Sequence, residues 1–425
     1  MQFTNVTCPH CGLLCDDLVL DVEDQNITLV NVKDTLCQKA ISDSSLDAND
    51  KNIGKAFING EMVDLDQAIT HAASLLRDSR LSLVSGLITD IGGARASIEL
   101  ADQCTAIVDH AYSHTLMASV ATMQRSGMVT STFSEVRNRA DCVVVVGSGV
   151  FKKFPRFIER VLSPKAVLGD DQAGNKRIYV LDPESAGPLS EDLSGLNAQQ
   201  IKLAVPNLDA IVHLLHGVLT QSEDEQCIEN NELTKELCDL RKVVLASNYS
   251  TIVWTSSEFQ TATTEISVQT LNSAVKHLTA QVRCVGLPLS GSRGEITANS
   301  VCTWQTGMPL RSRFRNGAPQ HDPVLYDGSN LLKENQVSAL VWVACYSPDD
   351  VPPSTDVPTI AIAHPKMSFT NTPEVFIPTG VPGLDHAGLA CRADSVATLP
   401  LQAVRSNLLP SAKEVIQKIA EQLAS

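Results

Sequence analysis

Cys8, Cys11 and Cys15 lie close together in TCPHCGLLCDD (residues 7–17), and Cys37 follows at a distance, a C-x2-C-x3-C-x21-C pattern. Thiolates two and three residues apart can turn toward one centre, and a fourth from a remote segment completes a tetrahedral set for zinc or a 4Fe-4S cluster. Zinc modules usually pair two short knuckles, whereas three close cysteines and one distant one suit a cubane better, so iron and sulfur are expected. His10 sits inside the motif, but with four thiols available it is expected to be a bystander. Asp16 and Asp17 are expected to cap or solvate the turn.

These thiols need a scaffold. Residues 15–33, CDDLVLDVEDQNITLVNVK, alternate apolar and polar positions and break at Asp24 to Asn26, which predicts a hairpin. DSSLDANDKN (43–52) reads as a linker. From residue 65 the pattern changes. LDQAITHAASLLRDS, ARASIELADQC, TLMASVATMQRSG, LDAIVHLLHGVL and TATTEISVQTLNSAVKHL carry helical periodicity. Between them stand LSLVSG, CTAIVDH, DCVVVVGS, KRIYVLD, STIVWTS, VSALVWVACYS and PTIAIAH, short apolar runs typical of buried parallel strands. The alternation predicts parallel sheets with helices on both faces, and the number of strands favours two α/β lobes. The fold class is therefore α/β, a small N-terminal β module with four cysteines followed by two doubly wound lobes. The expected boundaries are 1–54 for the module, 55–110 and 335–425 for the first lobe, and 111–334 for the second. The last helix, SAKEVIQKIAEQLA, should open at Ser411 as N-cap.

At 425 residues with 43% hydrophobic content and mean hydropathy near zero, the chain is long enough for several cores. A net charge of -15 and 4% aromatic residues argue against nucleic acid as a partner. No apolar run approaches the length of a membrane span and no signal-like leader is visible, so a cytoplasmic location is expected. Cys104, Cys142, Cys227, Cys238, Cys284, Cys302, Cys345 and Cys391 are scattered and are expected to be core filler. Trp304 is expected to anchor a core. Arg311, Arg313 and Arg315, alternating in LRSRFRNG, are expected on one side of an extended, solvated segment, with an anionic carrier tail as an alternative target.

The cysteine module, together with SHTLMASVATMQRSG, FSEVRNRADCVVVVGS, ITANSVCTWQTGMP and VPGLDHAGLACRADSV in that order, resembles the B subunit of formylmethanofuran dehydrogenase, a branch of the molybdopterin oxidoreductases. The resemblance covers most of the chain and implies the molybdopterin-oxidoreductase-like arrangement of lobes. In the dehydrogenase members a molybdenum or tungsten pterin lies between the lobes, ligated by the cysteine of a Cys-His pair. Here the matching residues are Ser113 and His114. A thiolate is a soft, easily deprotonated donor, whereas an alkyl hydroxyl keeps its proton. In PLSGSRGEITAN (288–299) the position of an arginine near the family's active site is Ser290, with Arg293 three residues on. The resemblance implies Arg293, Asn299 and Arg392 as cofactor-binding positions.

Both departures point to the bacterial formyltransferase/hydrolase branch of the family, whose B subunit is understood to lack the metal pterin. The resemblance then implies a structural and assembly subunit in tetrahydromethanopterin-linked one-carbon metabolism. Its partners would be a zinc amidohydrolase-like A subunit, a C subunit and a formyltransferase-like D subunit, with a furan-type C1 carrier. The alternative is a catalytic tungsten or molybdenum subunit acting on formate or carbon dioxide. The cysteines would hold a 4Fe-4S cluster or zinc in either case.

Overall fold

A strand that buries all seven of its residues, as Ser82–Ile88 does, requires a sheet covered on both faces. Parallel neighbours supply that environment. The structure, a computed structural model, describes residues 1–47, 53–168, 176–221, 232–289, 293–315, 317–406 and 409–425. It divides into two units, residues 1–113 with 291–425, and residues 114–290.

In the first unit, β1 (Gln2–Val6), β2 (Leu18–Glu23) and β3 (Asn26–Leu29) form an antiparallel sheet, with Leu20, Ile27 and Leu29 buried on one side. The expected hairpin turns at Asp24, whose φ of 54° is one that Asp tolerates. A helix, Thr35–Asp43, follows and carries Cys37; Asp34 caps it by accepting the Leu36 and Cys37 N–H groups. Half of the expected linker, residues 48–52, lies outside the described residues.

The main sheet of this unit runs, among the described residues, β14-β13-β7-β6-β15-β16-β17-β4-β5. These are β4 (Ala56–Ile58), β5 (Glu61–Val63), β6 (Ser82–Ile88), β7 (Ile107–Val108), β13 (Ser312–Arg315), β14 (Ala318–His321), β15 (Ala339–Ala344), β16 (Thr359–Ala363) and β17 (Val375–Pro378); β8–β12 belong to the second unit. The central five, β7-β6-β15-β16-β17, are parallel, and antiparallel hairpins close both edges. Helices Leu65–Asp78 and Ala412–Ala424 both start from capping boxes, Asp64 with Gln67 and Ser411 with Glu414, so Ser411 caps as expected. The first buries Ala68, Ile69, Ala72, Ala73 and Leu76, the spacing of one helical face. A second hairpin, β18 (Gly388–Cys391) and β19 (Thr398–Leu401), follows the sheet.

The second unit holds β8 (Cys142–Val146), β9 (Arg177–Pro183), β10 (Gln199–Leu203), β11 (Ser250–Trp254) and β12 (Cys284–Pro288), all parallel and ordered β10-β9-β8-β11-β12. β8 and β11 are buried throughout. Helices Leu208–Leu219 and Thr264–Thr279 pack together, burying Ile211, Val212 and Leu215 of the first with Val268, Leu271 and Val275 of the second. This is the doubly wound arrangement expected from the alternation of helix and strand.

The boundary expected after residue 334 falls at 290/291, and the one expected after residue 110 falls at 113/114. Strand pairing is the reason. β13 hydrogen-bonds to β7, and helix Glu295–Thr306 packs on helix Ile91–Gln103, so residues 293–321 join the first sheet. One further expectation changes. Trp304 is 62% exposed on the outer face of its helix rather than in a core, and Cys238, packed in the core of the second unit as expected, is also disulfide-bonded. Cys142, Cys284, Cys302, Cys345 and Cys391 are buried as expected. Among the described residues no helix is long and apolar enough to cross a membrane.

VPGLDHAGLACRADSV supplies a buried ion pair. Asp385 Oδ1 accepts from Arg405 Nε at 2.6 Å, and both side chains are fully buried. The other Asp385 oxygen accepts the Val381 N–H at 2.7 Å, while Arg405 Nη1 reaches the Gln25 carbonyl at 2.7 Å and ties the β2–β3 turn to the C-terminal segment. Asp385→Asn strands a buried guanidinium and should lower stability by about 3–5 kcal/mol. Calorimetry of this variant beside Asp385→Asn/Arg405→Met, which removes both charges and should recover part of the loss, checks the pairing.

Candidate functional site

Ser113 is reached through the end of β7. After Val108 the chain turns through Asp109 and His110, with the Ala111 N–H on the Gly86 carbonyl and the Tyr112 N–H on His110 Nδ1 at 3.0 Å. Ser113 then opens helix Ser113–Ser126 and is 3% exposed. Its Oγ accepts from Arg311 Nε at 3.2 Å, and the hydroxyl helps to favour the charged form of Asp109. Arg311 is equally enclosed. Nη2 pairs with Asp327 at 2.6 Å, Nη1 donates to the Pro323 carbonyl at 2.5 Å, and Nε lies 3.7 Å from Asp109 Oδ2. Asp109 Oδ2 also accepts the Gly328 N–H at 2.8 Å. Burial pushes the Asp109 carboxyl up to about 6, against the opposing pull of Arg311 and the hydrogen bonds from Ser113 and Gly328.

Arg311 thus does not alternate with Arg313 and Arg315. Its φ of 61° takes it out of the strand, and its guanidinium is buried while Arg315 is exposed. A cationic donor 3.2 Å from Ser113 Oγ opposes a metal cation at the same oxygen. The position that the family resemblance equates with a metal ligand is therefore a poor fit for one. His114, the next residue, is exposed and opens the second unit.

The expected cofactor-binding positions have partners within the first unit. Arg293, at φ 54°, pairs through Nη1 with Asp350 Oδ1, which also accepts from the Tyr112 hydroxyl at 3.3 Å. Asn299 Oδ1 accepts the Leu310 N–H at 3.1 Å, and Arg392 makes a two-pronged pair with Asp394 at 2.9 and 2.7 Å. Ser290 lies outside the described residues.

Around Arg293 and the carboxyl ends of the strands stand residues that the sequence alone does not single out, Asp109, His110, Tyr346, Asp350 and His364. The histidines at positions 110 and 364 are held neutral by burial, their pKa values lowered to about 3. His10 is lowered to about 4, by burial first and then by Arg293. The Nε2 atoms of all three, together with Tyr346 Oη and Asp350 Oδ2, are buried without a partner. The signal for these residues is a polar side chain directly following an apolar strand run, as in CTAIVDH and PTIAIAH.

The four cysteines of the N-terminal module come within electrostatic reach of one another. Burial raises the Cys11 thiol well above its usual value, and neighbouring Cys8, Cys15 and Cys37 raise it further. Burial also raises Cys37, with Cys8 and Asp34 next. A hydrogen bond from the Cys8 N–H to the Cys15 carbonyl at 2.8 Å folds the motif back on itself. Among the described residues, however, no three His, Cys, Asp or Glu side chains are grouped as the ligands of one ion. A cubane, with a separate iron for each thiolate, sets its sulfurs wider apart than one zinc does.

The structure is that of a two-unit α/β protein with four cysteines at its N-terminal sheet. No family model matches the chain. It is similar along its length to the B subunit of the tungsten-containing formylmethanofuran dehydrogenase 2 of Methanocaldococcus jannaschii, 24% identical with 99% of each chain covered. It is also similar to the B subunit of the formyltransferase/hydrolase complex Fhc of Methylorubrum extorquens, 25% identical over 78% of this chain and 87% of the relative. Among solved structures, the fold matches a chain of the formyltransferase/hydrolase complex FhcABCD from Methylorubrum extorquens in complex with methylofuran. The TM-score is 0.72 at 21% identity, covering 87% of this chain and 98% of that one. The similarity read from the motifs is thus found over nearly the whole chain, with identities too close to separate the two kinds of relative.

The Asp109 carboxyl gives a test of the geometry at Ser113. Its folded pKa, about 6, lies above the ordinary 3.8, so its favourable contribution is complete below pH 4 and is lost as pH rises through 6. Asp109→Asn removes that dependence. The stability of the variant relative to the native chain should rise between pH 5 and pH 7.5, and thermal denaturation at both pH values measures it; a difference independent of pH would refute the burial of this carboxyl.

Proposed function

We propose that the chain is the B subunit of a formyltransferase/hydrolase-type complex acting on formyl groups carried by a furan-type C1 carrier in the cytoplasm, and that it builds the assembly without redox turnover of its own. Similarity to the Fhc B subunit and to the fold of a chain in a complex crystallised with methylofuran supports the assembly role. The observation that carries the non-redox reading is the state of Ser113, whose oxygen accepts from the Arg311 guanidinium that also lies against the Asp109 carboxylate. A side chain closed between a carboxylate and a guanidinium serves as a junction of the fold, holding the turn after β7 against the segment that leads into β13. The reaction chemistry then belongs to partner subunits, a metal-dependent hydrolase and a formyltransferase.

In this reading the cysteines hold a structural group that clips the N-terminal module, as metal binding coupled to folding does. Cys8, Cys11, Cys15 and Cys37 would be its ligands, and thiols with raised pKa values release their protons when it loads. Retention of the four thiols also favours the second reading, a tungsten or molybdenum subunit of a formylmethanofuran dehydrogenase, because a clustered thiol set suits electron transfer.

Elemental analysis of the complex purified without oxygen, with formate-dependent dye reduction, separates the two. The expected result is iron with acid-labile sulfide, or zinc, bound to this chain, no tungsten or molybdenum, and no dye reduction. Tungsten or molybdenum with dye reduction would establish the second reading. Cys11→Ser should remove the bound metal and lower the melting temperature while formyl hydrolysis by the assembled complex persists.

A further inference from the structure

In the second unit the strand order places a topological switch point between β8 and β11. The chain moves outward from β8 through β9 to β10 on one side, and through β11 to β12 on the other. Open parallel sheets bind ligands in the crevice at this point, outside the carboxyl ends of the strands, and the loop after the first strand commonly approaches phosphate through glycine. Here that loop is Gly147-Ser148-Gly149. Gly147 adopts φ 91°, and a Cβ at Gly149 would collide with both carboxylate oxygens of Glu258, so the loop is shaped around an anion. The anion is the protein's own.

Glu258 comes from the short turn after β11 and is half-buried. Burial, and after it Asp182, oppose its charge, while the adjacent main chain of Gly149 and the ammonium groups of Lys153 and Lys152 favour it. Asp182, at the end of β9, accepts the Ser148 N–H at 2.8 Å and the Gln200 side chain at 2.7 Å. The Ser148 main-chain donor is thus taken by one carboxylate, and a second carboxylate lies directly against Gly149. A phosphate entering the loop would displace one acid and meet the other at close range.

We infer that Glu258 occupies the anion cradle at the switch point of the second unit in place of a phosphate, so that this crevice is closed to a dinucleotide cofactor such as the metal pterin that the family resemblance implies. Residues 147–149, 182 and 258 alone carry this assignment. It holds whether or not the chain works in a formyltransferase/hydrolase complex.

Isothermal titration of the full chain with inorganic pyrophosphate, and separately with ADP, provides the test. The native protein should give no binding heat. Glu258→Ala should gain affinity for pyrophosphate by roughly tenfold or more over the native limit, as expected when main-chain donors of an anion-binding loop are released. ADP should follow if the crevice also accepts a nucleoside. Adding Gly149→Ala to that variant should abolish the gain, because the new methyl fills the space that the carboxylate left. Glu258→Gln, which keeps the shape and removes the charge, carries the test if the alanine variant does not fold, and should also bind pyrophosphate more tightly than the native chain. Native binding equal to that of either variant, no gain in a variant whose circular dichroism is native, or a gain that survives Gly149→Ala would each overturn the assignment.

Discussion

A guanidinium with 9% of its side chain exposed must find partners for its donors inside the protein, and much of the first unit is arranged to supply them to Arg311. Asp327 takes one face, the Pro323 carbonyl another, and Nε is directed between Ser113 Oγ and Asp109 Oδ2. The consequences propagate along the chain. Asp109 is held ready to accept the Gly328 N–H, and a Cβ at Gly328 would stand 3.1 Å from that carboxylate, so glycine lets the two segments approach. Ser113 is fixed at the start of its helix by the same charge. Removing the sulfur that relatives are expected to carry here leaves an oxygen that fits this network, since a hydroxyl can donate to a carboxylate and accept from a cation at once.

The carboxyl ends of the neighbouring strands follow a related pattern. After β7 and again after β16 a histidine accepts, through Nδ1, the main-chain N–H of the residue two positions on, Tyr112 in one case and Lys366 in the other. That bond puts the proton of the neutral ring on Nε2, and burial keeps both rings neutral. Two turns with the same geometry thus present uncharged donors where parallel sheets normally present their chemistry.

Helices and buried strands were legible in the sequence because periodicity follows directly from burial. DCVVVVGS and STIVWTS became fully buried central strands, and Ser411 and Glu414 formed the capping box that their spacing implies. What sequence could not supply was pairing between distant segments. The short edge strands and the hairpin Ser312–His321 carry too few apolar residues to declare their sheet, so the lobe boundary was expected some forty residues too late. Arg311 was expected in solvent because alternation with Arg313 and Arg315 assumes an extended backbone, and its positive φ breaks the assumption. Arg293, Asn299 and Arg392 have polar partners in Asp350, the Leu310 amide and Asp394, and for Arg293 only folding brings the pair together.

Each unit therefore closes its own potential ligand position with a charge from the chain, a cation at Ser113 in the first and an anion at Gly149 in the second. The signs are informative. A metal ligand position is made unattractive by a guanidinium, and a phosphate cradle by a carboxylate, so each substitute bears the charge of the group it would exclude. On the proposed reading, charges from the chain's own side chains stand where a charged cofactor would bind, so either position can be opened only by displacing groups that the fold now uses.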